Sequence, residues 1–304
     1  MARSHPPTLI TLVGRTLREE CGVGRGTRLL LALSGGTDSM ALLHVLSLLA
    51  KKQDFLLFAH GVDHGLRAEA AAELDCAEAH CQALGVAFSR SVLAVPNGGN
   101  LQARARDARR AALSAAAAEV QAELIATAHH ADDRAETVLL RLLRGSGPGG
   151  LSVLPPRSGV WIRPQCRARK SDVLAHLARH RLPFAEDPSN RNTRFLRTRV
   201  RFELLPLLEQ LSPQIVSHLC ALADALHADT PAAAGAKALT PTLPALTDEG
   251  GVALLLNRAQ RQLVGRARSL GQRTARVSLP KGRELSLDPV TLEPRLVAAR
   301  PRKR

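Results

Sequence analysis

The sequence has no tyrosine, one tryptophan and two methionines in 304 residues, so stacking on aromatic platforms is not the main way it would hold a nucleic acid. Its five cysteines (Cys21, Cys76, Cys81, Cys166 and Cys220) are odd in number and scattered, with no Cys-x-x-Cys pair. That argues against a disulfide framework, a zinc site or a cysteine-held iron–sulfur cluster, and makes a reducing, cytoplasmic setting the natural expectation. No apolar run approaches the length of a membrane span. The amino-terminal stretch has one early arginine and no long apolar segment, so neither a signal peptide nor a membrane is expected.

Acidic residues are also scarce. Lys and Arg number 42 against 27 Asp and Glu, for a formal charge of +15. From Gly251 to Arg304 there are 13 basic and 3 acidic residues, so +10 of the excess sits in the last sixth of the chain. Such a balance suits a polyanion reached through phosphate contacts. A genome rich in arginine codons is the plain alternative for the overall excess, though less so for the tail. Nearly half the residues are hydrophobic, enough to bury a core.

Strand-like and helix-like runs alternate from about residue 28. Strands are expected at RLLLALS, FLLFAHGV, VAFSRSVLAV and ELIATAH, and helices at 38–51, 67–84, 101–120 and 132–144. This is the rhythm of an α/β fold, a parallel sheet with helices on both faces. Ligands of such sheets sit at the carboxyl ends of the strands. Three polar clusters, SGGTDS, DHGLR and HHADD, fall there. Beyond Pro183 come a polar loop and a basic helix interrupted by Pro206. The expected division is a catalytic domain at 1–215, a helical segment with an Ala/Pro-rich linker at 216–247, and a small basic region at 248–304.

Ser34-Gly35-Gly36-Thr37-Asp38-Ser39 lies between a strand and a helix. Glycines there let backbone approach an oxyanion, and the first amides of the helix point at it with the helix dipole behind them. The hydroxyls of Ser34, Thr37 and Ser39 add donors, and Asp38 is placed to reach Mg²⁺. A simple helix cap explains one or two of the six positions, not all. The segment is no Walker A loop, because no lysine follows it. Asp132, Asp133 and Glu136 lie at i, i+1 and i+4 near the next helix start, where capping accounts for one carboxylate. Arg106, Arg109 and Arg110 fall on one helical face, as do Arg194, Arg197 and Arg201, with Arg199 nearby. A solvated face is the rival reading for the first set.

Strand-SGGxDS-helix resembles the signature of the PP-loop ATP pyrophosphatases. The stretches VDHGLR, NLQARARDARRAAL, TAHHADDRAETVLLRLLRGSGPGGL, IRPQCRARKSDV and EDPSNRNTRFLRTRVRFELLP are similar to the bacterial tRNA(Ile)-lysidine synthases, over residues 28 to about 210. That resemblance implies a PP-loop fold and a two-step ligation. ATP adenylates the C2 oxygen of the wobble cytidine of the CAU-anticodon tRNA(Ile), and free L-lysine then displaces AMP to give lysidine. The codon read changes from AUG to AUA.

The resemblance also implies roles. Ser34 to Ser39 hold ATP, with Asp38 on Mg²⁺ and His129 lining the site (simple packing is its alternative). Asp133 and Glu136 hold the lysine ammonium. Arg109 acts on the nucleotide or the developing charge. Arg106, Arg110, Asn190, Arg194, Arg197, Arg199 and Arg201 contact tRNA. Dimerisation is left open. Gln102, Arg110, Arg134 and Thr198 depart from the family pattern. The rivals are a thiolating PP-loop enzyme, which needs cysteines this chain does not arrange, and a tRNA-binding relative without catalysis.

Overall fold

The computed structural model describes residues 7–63, 69–93, 101–185 and 195–228, together with three strands after residue 275. The chain forms two compact units, Met1–Thr230 and Pro231–Arg304. The first opens with helix α1 (Leu9–Thr16), continued by a wider turn at Leu17–Cys21, and then alternates: β1 (Arg28–Leu33), α2 (Thr37–Gln53), β2 (Leu56–Asp63), α3 (Glu69–Leu84), β3 (Ala87–Val92), α4 (Leu101–Glu119), β4 (Leu124–Ala126) and α5 (Ala131–Leu143). A short helix α6 (Pro148–Leu151) leads to β5 (Arg157–Ser158) and β6 (Trp161–Ile162), followed by α7 (Lys170–His180).

The strand order is β3-β2-β1-β4-β6-β5, parallel except for β5 against β6. β1 is buried on both faces, which is why it reads as an unbroken aliphatic run. Leu29, Leu31 and Leu33 pack with α1, α2, α3 and α7 on one side, while Leu30 and Ala32 pack against Leu113, Ala116 and Ala117 of α4 on the other. That is the period-two alternation of a strand between two helical layers.

From β1 the chain winds outward through β2 to β3, then returns to place β4 on the other side of β1. β1 and β4 therefore flank the switch point, where diverging connections leave a crevice at the strands' carboxyl ends. SGGTDS follows β1 and HHADD follows β4. The DHGLR cluster and its expected helix start lie largely in 64–68, outside the described residues.

After α7, helix α8 (Leu196–Arg199) passes through a widened turn at Val200–Leu204 into α9 (Leu205–Leu211). The expected interruption at Pro206 is absent: Leu204 and Leu205 keep helical dihedrals. The wide turn closes with Leu205 N on Val200 O, and Pro206, which has no N–H to donate, falls in the first turn of α9. Helix α10 (Ile215–Ala228) packs through Val216, Leu219, Cys220 and Ala223 in one cluster with Ala135, Val138 and Leu139 of α5. It thus belongs to the first unit, Met1–Thr230. The expected Ala/Pro-rich linker and the start of the basic region, 229–275, lie outside the described residues. In the second unit β7 (Arg276–Leu279), β8 (Arg283–Leu287) and β9 (Pro294–Ala298) form an antiparallel sheet.

Candidate active site

The corner after β1 is built by short polar bonds. Ser39 Oγ donates to Gly36 O at 3.0 Å, accepts from Ser34 N at 3.2 Å and lies 3.1 Å from Ser34 Oγ. Gly35 has φ +77°, and a Cβ there would stand 2.6 Å from Glu73 O, so the turn requires glycine. Gly36 caps α2 in extended conformation, leaving the N–H groups of Thr37 and Asp38 at the start of a 17-residue helix.

Across the crevice, His130 caps α5. Its backbone N–H donates to Asp133 Oδ2 at 3.1 Å, and Asp133 N–H donates back to His130 Nδ1 at 3.4 Å. The same imidazole lies 3.8 Å from Asp38 Oδ1, 3.4 Å from Asp132 Oδ2 and 3.4 Å from Asp133 Oδ2. One buried ring thereby links the corner after β1 to the carboxylates after β4. Burial opposes a charge on His130, but Asp132, Asp133 and Asp38 together outweigh it and raise its pKa. His129, which shares a 3.0 Å bond with Thr127 Oγ1, goes the other way. Burial, reinforced by Arg163, Arg197 and Arg109 against the opposing pull of Asp133, lowers it to about 4.

The three acidic residues of α5 separate. Asp132 turns to α7, accepting from Lys170 N at 2.7 Å and Arg169 Nη2 at 2.9 Å. Burial works against its ionisation, yet His130, Arg169 and the Lys170 amide hold it well below the usual carboxylate range. Asp133 and Glu136 are 8% and 1% exposed. They face Arg197 and Arg201: Arg197 Nη2 meets Asp133 Oδ1 and its Nε meets Glu136 Oε2, both at 2.9 Å, while Arg201 reaches Glu136 Oε1 at 2.5 Å and Asp133 Oδ1 at 3.3 Å. Asp133 also has a lowered pKa, burial being outweighed by His130, His129 and Arg197. Asp132, although four residues before Glu136, does not join that pair, because Arg169 draws it off.

Several site residues were given no role by the sequence. Lys170 Nζ donates to Asp38 Oδ1 at 2.5 Å and to Thr37 Oγ1 at 2.7 Å, placing a lysine on the corner from 132 residues away. Gln165 Nε2 donates to Ala128 O at 2.7 Å and Asp38 O at 3.2 Å, stitching the loop after β4 to α2. His130 and Arg169 complete the set. Only the quoted stretches themselves, HHADD and IRPQCRARKSDV, could have signalled them.

Of the arginines on α4, Arg106 is exposed and Arg109 half-buried with its pKa lowered by burial. Arg110 lies over the Trp161 ring at 4.5 Å, so its side chain packs on β6, the strand next to the sheet's edge. Arg199 pairs with Glu203 at 2.9 Å on the surface. Asn190 and Arg194 lie outside the described residues. Arg134, a departure from the family pattern, is fully buried and bonds Asp224 of α10 at 2.6 Å, which explains it as a tie between helices.

An open parallel sheet with a glycine corner and an acidic helix start meeting at its switch point defines a nucleotide-dependent class of α/β protein. The chain belongs to the PP-loop domain family, which matches residues 13–208. It is similar to the tRNA(Ile)-lysidine synthase of Xanthomonas axonopodis pv. citri, 40% identical over 237 residues, covering 76% of this chain and 53% of that protein. The tRNA(Ile)-lysidine synthase of Geobacter sulfurreducens is 34% identical over 298 residues, covering 93% of this chain and 62% of its own length. The chain thus spans roughly half to three-fifths of these curated relatives. Among solved structures, a U34-tRNA thiolase from Methanococcus maripaludis superposes with a TM-score of 0.60 at 20% identity, covering 72% of this chain and 80% of that one. At that identity the match speaks for the fold. Among the described residues no helix is long and apolar enough to cross a membrane.

Proposed function

We propose that the protein is a lysidine-forming ligase. It would adenylate the C2 oxygen of the wobble cytidine in the CAU-anticodon tRNA(Ile) with ATP and transfer free lysine to that carbon, in a cytoplasmic setting. The observation that carries this reading is His130, which stands within 3.8 Å of Asp38 and 3.4 Å of Asp133. A phosphate-gripping corner and an ammonium-binding carboxylate pair are thereby held one imidazole apart.

In the first step the cytidine C2 oxygen bonds to the α-phosphorus of ATP as the bond to the bridging oxygen breaks and diphosphate leaves. Gly35, Gly36 and the first amides of α2 cradle the phosphates, with Ser34, Thr37 and Ser39 as hydroxyl donors. Lys170 and Arg109 offset negative charge that develops on the phosphates, and a protonated His130 adds to it. Asp38 offers one hard carboxylate beside phosphate oxygens, a donor set that fits Mg²⁺, which when bound there would neutralise phosphate charge. His129, kept neutral, lines the nucleotide side.

In the second step the lysine ε-amine bonds to C2 while the C2–oxygen bond breaks and AMP departs with that oxygen. Asp133 and Glu136 receive the ammonium and accept the proton it must lose before attack. Arg197 and Arg201 now neutralise that pair, so lysine must share or displace them. Arg106, Arg110, Arg199, Asn190 and Arg194, with the basic second unit, are assigned to tRNA phosphates.

Thiolation is disfavoured by the cysteines: Cys21, Cys81 and Cys166 are buried, and burial pushes their thiols up to about 12, far from a nucleophilic thiolate. The test is to incubate the protein with ATP, radiolabelled lysine and total tRNA. Label confined to the CAU isoleucine tRNA supports the ligase. Tight tRNA binding with neither label nor ATP–diphosphate exchange would leave a binding protein instead.

A further inference from the structure

Three imidazoles meet outside the site. His44 projects from α2, and His176 and His180 lie at i and i+4 on one face of α7. Each offers a ring nitrogen, and these nitrogens all lie within 4.8 Å of one another. His44 Nδ1 and His176 Nε2 are 3.0 Å apart, and the three ring centroids are separated by 5.1, 4.7 and 4.5 Å. From buried His176 the group opens outward through half-buried His44 to exposed His180.

We propose that His44, His176 and His180 form a site for a divalent transition-metal ion, Zn²⁺ foremost, bound by three imidazoles with its remaining position open to solvent. Three nitrogen ligands with one open place is an arrangement Zn²⁺ accepts. Nitrogens around a tetrahedral ion at about 2.0–2.1 Å stand roughly 3.3 Å from one another, so small rotations of the outer rings close the set. The imidazole donors also select borderline metals such as Zn²⁺, Co²⁺ or Ni²⁺ over Mg²⁺ and Ca²⁺. Burial first, then the neighbouring imidazoles, lower the pKa values of His44 and His176, keeping these rings in the neutral form that ligates. A fourth imidazole, His80 of α3, acts electrostatically on His44, and its buried Nε2 has no hydrogen-bond partner among the described residues.

The position gives the ion a purpose. α2 and α7 run in step: Asp38 meets Lys170 and, six residues further on each helix, His44 meets His176, both pairs 132 apart in sequence. Six helical residues span about 9 Å. A metal at the histidines would bolt the two helices together about one and two-thirds turns behind the contact that sets Lys170 on the phosphate corner.

The test uses the full chain, stripped with chelator and titrated with Co²⁺ as a spectroscopic probe, then with Zn²⁺. The expected result is one tight equivalent with the visible absorption of a four-coordinate nitrogen-rich site, displaced by Zn²⁺, and a Zn²⁺-dependent rise in Tm. His180→Ala, at an exposed helix end, and His44→Ala should each weaken Co²⁺ binding at least 10–100-fold, roughly what loss of an outer-shell partner alone costs. His218→Ala should leave it unchanged. Absence of saturable binding in the micromolar range, or equal binding by His180→Ala and His44→Ala, overturns the proposal. Because the readout is metal binding, the outcome is independent of the reaction proposed above.

Discussion

Arg201 donates from Nε to Glu136 Oε1 at 2.5 Å, and the carboxylate it neutralises is 1% exposed. Stripping a buried charge of its partner is costly because the remaining ion has lost its water without compensation. Arg197 also bonds Glu136, so the loss is shared. Arg201→Ala is expected to lower stability by about 2 kcal/mol, below the ~3–5 kcal/mol of a fully stripped buried pair. Arg201→Ala combined with Glu136→Gln should recover part of that. Denaturant unfolding at neutral pH measures both, and an additive double variant would show that the two side chains do not depend on each other.

The same pairing makes a functional claim. If Asp133 and Glu136 receive the ammonium of lysine, their present arginine partners compete with it. Arg197→Ala should therefore tighten free-lysine binding severalfold in the absence of tRNA, as read by calorimetry. Weaker binding would instead make Arg197 part of the pocket wall.

Asp38 and Lys170 define the phosphate side. Asp38→Ala and Lys170→Ala are each expected to cut ATP–diphosphate exchange by about 10²-fold or more, the scale set by losing one preorganised electrostatic contact. Binding of tRNA should be largely retained in both. A parallel collapse of tRNA affinity would move these residues out of the nucleotide site. Asp133→Asn, in contrast, should slow lysine transfer more than adenylate formation. Equal losses in the two half-reactions would remove Asp133 from the lysine step.

Much of this arrangement was legible in sequence, for identifiable reasons. The switch from an aliphatic run to a 3.6-residue period marks β1 and α2, and the glycines between them mark the tight turn that joins the two. The alternation through β4 and α5 is as clear. What sequence does not reveal is long-range convergence. Nothing near Lys170 announces that α7 will lie along α2, and two-residue strands such as Trp161–Ile162 have no period to detect. His129 and His130 are neighbours of identical type, so only the backbone path decides which one caps α5 and joins the carboxylates. Helical spacing placed Arg197 and Arg201 on one face, but not which way that face turns. It turns inward, onto Asp133 and Glu136.

The histidines set an acid limit. Burial lowers the pKa values of His44, His60 and His80, and takes His129 and His176 to about 4. A group with a depressed folded-state pKa leaves the unfolded chain to take up the proton first. Stability is therefore lost as pH falls from about 6.5, the unfolded histidine value, towards 4. His130 has the opposite sign: its raised pKa adds stability that is fully present below about 6.5 and lost as pH rises through its folded value. The depressed group is larger, so the unfolding free energy should fall steadily between about pH 6.5 and 4 in the presence of chelator. His129→Gln should flatten that fall. A pH-independent stability across this window would contradict the burial assigned to these rings.

The last expectation concerns the basic tail. With 13 basic and 3 acidic residues beyond Gly250, the second unit should bind tRNA by releasing counterions from phosphates, and each contact adds to the dependence on salt. Truncation at Leu246 leaves the first unit, Met1–Thr230, whole. It should weaken tRNA binding at low salt and flatten the plot of log affinity against log salt, with little change at high salt, where such contacts are already screened. Titrations of full-length and truncated protein across a salt series decide it. Identical slopes would assign the phosphate contacts to the arginines of the first unit, leaving the tail's charge without a role in tRNA affinity.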